Sequence, residues 1–288
     1  MFMRGSEVKI SGVEFTRMGQ RGLNGRYPVH FHLMRDTAAG SYLKHSAIHH
    51  VFQRFITVHT SNRLLIENNV CFDTSGHGVF IEDGNETGNM FRNNLIMLIR
   101  QMPLEDRLCD SSKSLDQCRN EVHSALCDTK QDVRSSGFWI SHPDNHFVGN
   151  VVAGVEEGFG FWYTSGADGQ LRDDETGAVV RFYELPPMRE FRDNLAHSIS
   201  SIRYAPPLYN PAYAPVQTGS GLTVDFAQAG SAPIVNFTAY KNLNAGIWLN
   251  NALHVDQPVL GAVLADNQIG FWHDDVYSAT TLKDSLIV

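Results

Sequence analysis

One six-residue frame is written about eight times along this chain: PVHFHL (28–33), FITVHT (55–60), GVFIED (78–83), GFWISH (137–142), GFWYTS (160–165), GLTVDF (221–226), GIWLNN (246–251) and GFWHDD (270–275). Most copies open on glycine, and apolar residues alternate with a second set along each. A period of two over so few residues is the mark of a strand with two different faces. A strand type copied this often must pair with its own copies, which confines the chain to a repeat architecture.

Asparagines mark the length of the repeat. Asn69 and Asn94 are 25 residues apart, as are Asn242 and Asn267, and Asn150 and Asn194 occupy the same slot after insertions. Short strands at a period of 20–25 residues with an Asn turn predict a parallel β-solenoid. Asn suits the turn because it tolerates left-handed backbone and its amide can bond the next copy. The leucine spacing and helical half of a leucine-rich repeat are missing, so the expected fold is all-β, a right-handed parallel β-helix of roughly 25-residue rungs. One domain is expected over 1–288, as a fragment of a longer protein, because Met1 starts mid-rung and LKDSLIV (282–288) ends on a strand without a cap. Insertions at about 101–136, 166–187 and 205–220 interrupt the repeat, and rung sequence resumes after each.

Composition narrows the partners. A net charge of −8 argues against nucleic acid. Nothing approaches the ~18 apolar residues a membrane span requires. Cys109, Cys118 and Cys127 sit in the first insertion and Cys71 on a rung. Their spacing matches no zinc motif, and it leaves thiols and a structural bridge both open.

The frame sorts side chains into columns. Its second and fourth positions (Val29 to Phe271, Phe31 to His273) are apolar but for His273, and are expected inside. The third position, facing out, collects His30, Thr57, Phe80, Trp139, Trp162, Thr223, Trp248 and Trp272, which include all four tryptophans. An outward aromatic row beside a polar row is the surface on which sugar rings stack, so Trp139, Trp162, Trp248 and Trp272 are expected to bind substrate; the alternative is a second core. The fifth position brings His32, His59 and Glu82 together on successive rungs about 4.8 Å apart, with Asp83 and His77 flanking. Two chemistries fit this set. His32, His59 and Glu82 can hold a divalent metal. Alternatively, Glu82 and Asp83, with His77 and His59, can serve acid–base chemistry.

GRYPVHFH (25–32), TSGHGVFIEDG (74–84), HPDNHFVGNVVAG (142–154), EEGFGFWY (156–163), DNLAHS (193–198), FTAYKN (237–242), AGIWL (245–249) and ADNQIGF (265–271) run in this order. Together they resemble the β-helix of the family of the cell-migration-inducing hyaluronan-binding protein and the transmembrane cell-surface hyaluronidase; fibrocystin-type proteins share part of the pattern. The resemblance implies a secreted or cell-surface protein acting on hyaluronan, cut within the chain. It points to Arg26, His30, His32, His77, Glu82 and Asp83; of these, Arg26 and His30 are the residues expected to contact substrate. The expected activity is endo-hydrolysis of hyaluronan or a related uronic-acid polymer. A lyase acting on the same polymers and a non-catalytic polysaccharide-binding module are the alternatives. Arg17, Arg21, Arg35 and Arg54 are the further cations expected to offset the chain's negative charge toward such a polyanion.

Overall fold

The structure, a computed structural model, describes residues 1–103, 134–164, 171–172, 176–180, 186–200, 218–225, 232–250, 257–274 and 280–288. Three nine-stranded sheets run the length of the molecule, each parallel throughout, and the chain visits them in turn at every rung. This is a parallel β-helix. The first sheet runs from Phe2–Met3 through Val29–Arg35, Ile56–Ser61, His77–Ile81, Ser136–Ile140, Phe159–Tyr163, Ser220–Val224 and Ala245–Leu249 to Ile269–His273. These strands carry the repeated frame. One 3₁₀ turn, Asp36–Ala38, is the helical element among the described residues, and no helix is long and apolar enough to cross a membrane. The three expected insertions fall largely outside the described residues, as do Cys109, Cys118 and Cys127. A short antiparallel pair, Leu171–Arg172 with Val179–Val180, lies within the second. Cys71 is a buried free thiol, its pKa pushed up by burial.

Register follows the frame residue for residue. Val29, Ile56, Val79, Phe138, Phe161, Leu222, Ile247 and Phe271 are successive Cα partners. They pack into the interior cluster with Phe91, Phe147 and Phe191 of the second sheet. Phe138 stacks on Phe161 at 5.0 Å, and Phe91 on Phe147 at 5.1 Å. Like side chains sit over like because a one-residue slip would turn every apolar group outward.

The leading glycine is there for room. At this corner the first and third sheets close on each other. A Cβ on Gly137 would lie 2.4 Å from a Val152 methyl, and one on Gly160 would lie 2.3 Å from the Gly221 carbonyl oxygen. Hydrogen alone fits.

The asparagines divide among three corners. Asn69, Asn94, Asn150 and Asn194 form one ladder between the second and third sheets, each Nδ2 donating to the next Oδ1 at 2.9–3.1 Å. Asn89 and Asn145 form a ladder between the first and second sheets, and Asn242 and Asn267 another between the third and first. Left-handed backbone falls one residue earlier than the sequence suggests, on Asn68, Asn93, Gly149 and Asp193. That residue turns the chain, which frees the ladder amide to saturate itself against backbone and neighbour.

Candidate active site

His32 and His59 are Cα partners on adjacent first-sheet strands. The ladder continues with the Glu82 N–H donating to the Val58 carbonyl, which sets Glu82 beside His59. The fifth-position column therefore exists as the frame predicts. His32 Nδ1 lies 3.0 Å from His59 Nδ1, and Glu82 Oε2 lies 3.7 Å from that same His59 nitrogen.

Asp83 joins them because the chain turns back as the strand ends. Its Oδ2 lies 2.9 Å from His59 Nε2 and accepts from Thr60 Oγ1 at 2.7 Å. The turn is built on Glu86, a fully buried carboxylate. It accepts from Thr60 N and Asp83 N through Oε1, and from Gly84 N and Asn85 N through Oε2, at 2.8–3.2 Å. Burial, with Asp83 nearby, raises the Glu86 pKa to about 7, against the pull of these backbone donors.

His30 adds a third imidazole. Its ring stacks on His59 at 5.9 Å and meets His32 edge-on at 4.9 Å. Its Nδ1 donates to the Gly25 carbonyl at 3.2 Å. Burial, aided by His32 and His59, lowers its pKa to about 3, so it is neutral at physiological pH. One ring nitrogen from each of His30, His32 and His59 lies within 4.8 Å of the others, and this is the set among the described residues grouped to hold a metal ion. It differs from the expected His32, His59 and Glu82 in taking His30 in place of the carboxylate. The reason is that residues two apart on a strand share a face, so His30 and His32 lean together across His59.

Other expected site residues are placed elsewhere. His77 begins the strand that Glu82 follows, about 16 Å away at ~3.3 Å per residue. It is buried, with Nδ1 2.8 Å from Ser136 Oγ and its ring against Phe80 and Trp139. The structure does not bring it to the carboxylates. The expected exposed row of tryptophans is a second core instead: Trp139, Trp162 and Trp248 are at most 5% exposed and cluster with Phe80, Phe159 and Ala245. Trp272, half-buried, stacks on Trp248 at 4.9 Å. Outward from the solenoid is not toward water here: ring packs on ring from Phe80 through Trp139 to Trp162, and again from Trp248 to Trp272 on the far side of Thr223. Arg54, expected as a surface cation, is fully buried, its guanidinium 3.6 Å over Phe80 and its Nη1 donating to the Tyr27 hydroxyl. Arg26 is exposed, next to the Gly25 that His30 holds. Arg17, Arg21 and Arg100 line a separate cleft of about 470 Å³.

Sequence reasoning missed Glu86, Thr60, Arg54 and Tyr27 as supports. For Glu86 a signal was present: an acid two residues after an Asp-Gly turn can reach back to the turn's free N–H groups.

Fold and cluster together define a solenoid protein with a chemically loaded sheet face, where imidazoles and carboxylates meet at the end of three adjacent rungs. The chain belongs to the CEMIP β-helix family, whose description matches residues 1–203. It is 32% identical over 97% of its length to the cell migration-inducing and hyaluronan-binding protein of Mus musculus, covering 22% of that protein. It is 33% identical over 67% of its length to a cell surface hyaluronidase of Danio rerio, covering 14% of it. With fibrocystin-L of Homo sapiens it shares 31% identity over 83% of its length and 5% of that protein. The chain thus spans less than a quarter of each of these relatives.

Proposed function

We propose that this β-helix acts at the cell surface or outside the cell on hyaluronan or a related uronic-acid polysaccharide, cleaving within the polymer by hydrolysis. The observation that carries the reading is His59 set between two carboxylates, 3.7 Å from Glu82 and 2.9 Å from Asp83. In this reading Glu82 protonates the departing glycosidic oxygen. Asp83, fixed by His59 and Thr60, takes the proton of the attacking water. Paired carboxyl groups in these two roles are the usual apparatus of glycoside hydrolysis. Arg26, beside the cluster through the Gly25–His30 contact, meets a uronate carboxylate. The naming of two relatives for hyaluronan binding or hyaluronidase action supports the choice of polymer. Half-buried His32, rather than a row of tryptophans, is the side from which a sugar approaches.

Incubating the protein with hyaluronan tests the reading. New reducing ends without the ultraviolet absorbance of an unsaturated uronate support hydrolysis. Reducing ends accompanied by that absorbance mean elimination, and binding with neither means a recognition module.

A further inference from the structure

We infer that His30, His32 and His59 form a binding site for a Zn²⁺-class transition-metal ion, with a fourth coordination position left open. The inference goes beyond the proposed polysaccharide chemistry and does not depend on it, because metal uptake is measured without turnover.

Three features carry it. The first is convergence: one nitrogen from each of three imidazoles lies within 4.8 Å of the others. Four-coordinate zinc with bonds of 2.0–2.1 Å needs its ligand nitrogens about 3.4 Å apart. His32 Nδ1 and His59 Nδ1 are already at 3.0 Å, so closing the set takes small ring rotations. The second is a buried nitrogen with no partner. His30 is 1% exposed, and its Nε2 has no hydrogen-bond partner among the described residues. An unbonded polar atom in such a place is costly, and a cation beside it removes the cost.

The third is the outer arrangement. A metal-bound histidine generally gives its other ring nitrogen to a carbonyl or carboxylate, which fixes the tautomer and aims the free lone pair. His30 Nδ1 is committed to the Gly25 carbonyl, leaving Nε2 for the metal. His59 Nε2 faces Asp83 at 2.9 Å, leaving Nδ1 on the side of His32. His30 is thus oriented as in an assembled site, and His59 Nε2 sits at ion-pair distance from the Asp83 carboxylate. All-nitrogen ligation selects zinc and its transition-metal neighbours over calcium or magnesium, which prefer oxygen. The open position next to Glu82 Oε2 takes water or a substrate oxygen.

The test uses protein without a polyhistidine tag, stripped by chelator and titrated with Zn²⁺ by calorimetry, with Co²⁺ as a spectroscopic probe. One equivalent should bind, and Co²⁺ should show the intense visible bands of four-coordinate nitrogen ligation. His32→Ala, at the open edge, should abolish the stoichiometric site, while His49→Ala, on the third sheet, should keep it. Asp83→Asn should weaken Zn²⁺ about 10–100-fold, the usual effect of removing a carboxylate behind a ligand. Should His32→Ala misfold by circular dichroism, His32→Gln replaces it. Failure of the folded parent to bind one equivalent, or equal binding by the folded His32 variant, overturns the site. Equal affinity in Asp83→Asn overturns its outer arrangement. If zinc binds and hyaluronan is left intact, the metal site stands and the proposed polysaccharide activity fails.

Discussion

Asp83 Oδ2 stands 2.9 Å from His59 Nε2, although strict alternation would send Asp83 to the face opposite Glu82. The strand ends at Ile81 and Glu82 N–H makes the last ladder bond, to the Val58 carbonyl; from Asp83 on, the backbone N–H groups are held by the buried Glu86 carboxylate. One side chain therefore decides whether the two acids share a site.

Glu86→Ala should unfold that turn. It would strip the acceptor from four backbone N–H groups, three of them in buried hydrogen bonds. At about 1–3 kcal/mol for each buried group left unsatisfied, the loss should be at least about 3 kcal/mol in urea unfolding. Glu86→Gln, which keeps an acceptor oxygen, should lose less. Equal stability of parent and Glu86→Ala would show that the turn holds by other means.

Trp248→Ala should act on stability. The ring is buried within the outward aromatic cluster, so truncation should cost about 3–5 kcal/mol, the usual loss for a buried Trp or Phe. Unchanged unfolding combined with weakened oligosaccharide binding would return this tryptophan to the ligand surface.

The strand frame was legible from sequence because alternation is a local property, and a strand copied eight times pairs only one way. Val29 over Ile56 and His32 over His59 follow from it directly. The division of the asparagines was not legible, since a 25-residue spacing is the same at every corner of a rung. Asn242 therefore reads like Asn194 until the sheets are assembled. Trp139 reads as exposed for a related reason: a strand pattern separates the two faces of a sheet without saying what packs on the second. His30 was legible as an outward residue but not as a partner of His59, because that contact depends on how the rings lean.

Gly160→Ala tests the pinch between the first and third sheets. Its Cβ would meet the Gly221 carbonyl at 2.3 Å and the Ala196 methyl at 2.8 Å. The neighbour at closest approach is backbone, so the rung must shift, and overpacking of this kind costs about 1–3 kcal/mol. A melting temperature equal to the parent's would mean that the corner has slack.

His142 should make the fold sensitive to acid. Burial lowers its pKa from 6.5 to about 4, opposed by Asp144, and its Nδ1 accepts from the Asp144 N–H. Between these values the unfolded chain binds the extra proton and the folded chain does not. Stability from this group is therefore intact above about pH 6.5 and is lost as pH falls toward 4, by on the order of 3 kcal/mol. Glu86, with its pKa raised to about 7, acts in the opposite sense over an overlapping range. Comparing the parent with His142→Asn isolates the histidine, since Asn can accept from the N–H two residues on. The stability gap between the two should change by that amount across pH 4–6.5, and a constant gap would contradict the buried neutral imidazole.

The most direct test of the account is the length of hyaluronan chains after incubation with the parent protein and with Glu82→Gln. Glu82 keeps its size in this change but loses its acid, and general acid–base groups contribute about 10²–10⁴-fold to rate. The account predicts that the parent shortens the polymer and exposes reducing ends, while folded Glu82→Gln leaves it near full length. Equal shortening by both proteins, or intact polymer with both, would contradict a cleavage site at the His59–Glu82–Asp83 cluster.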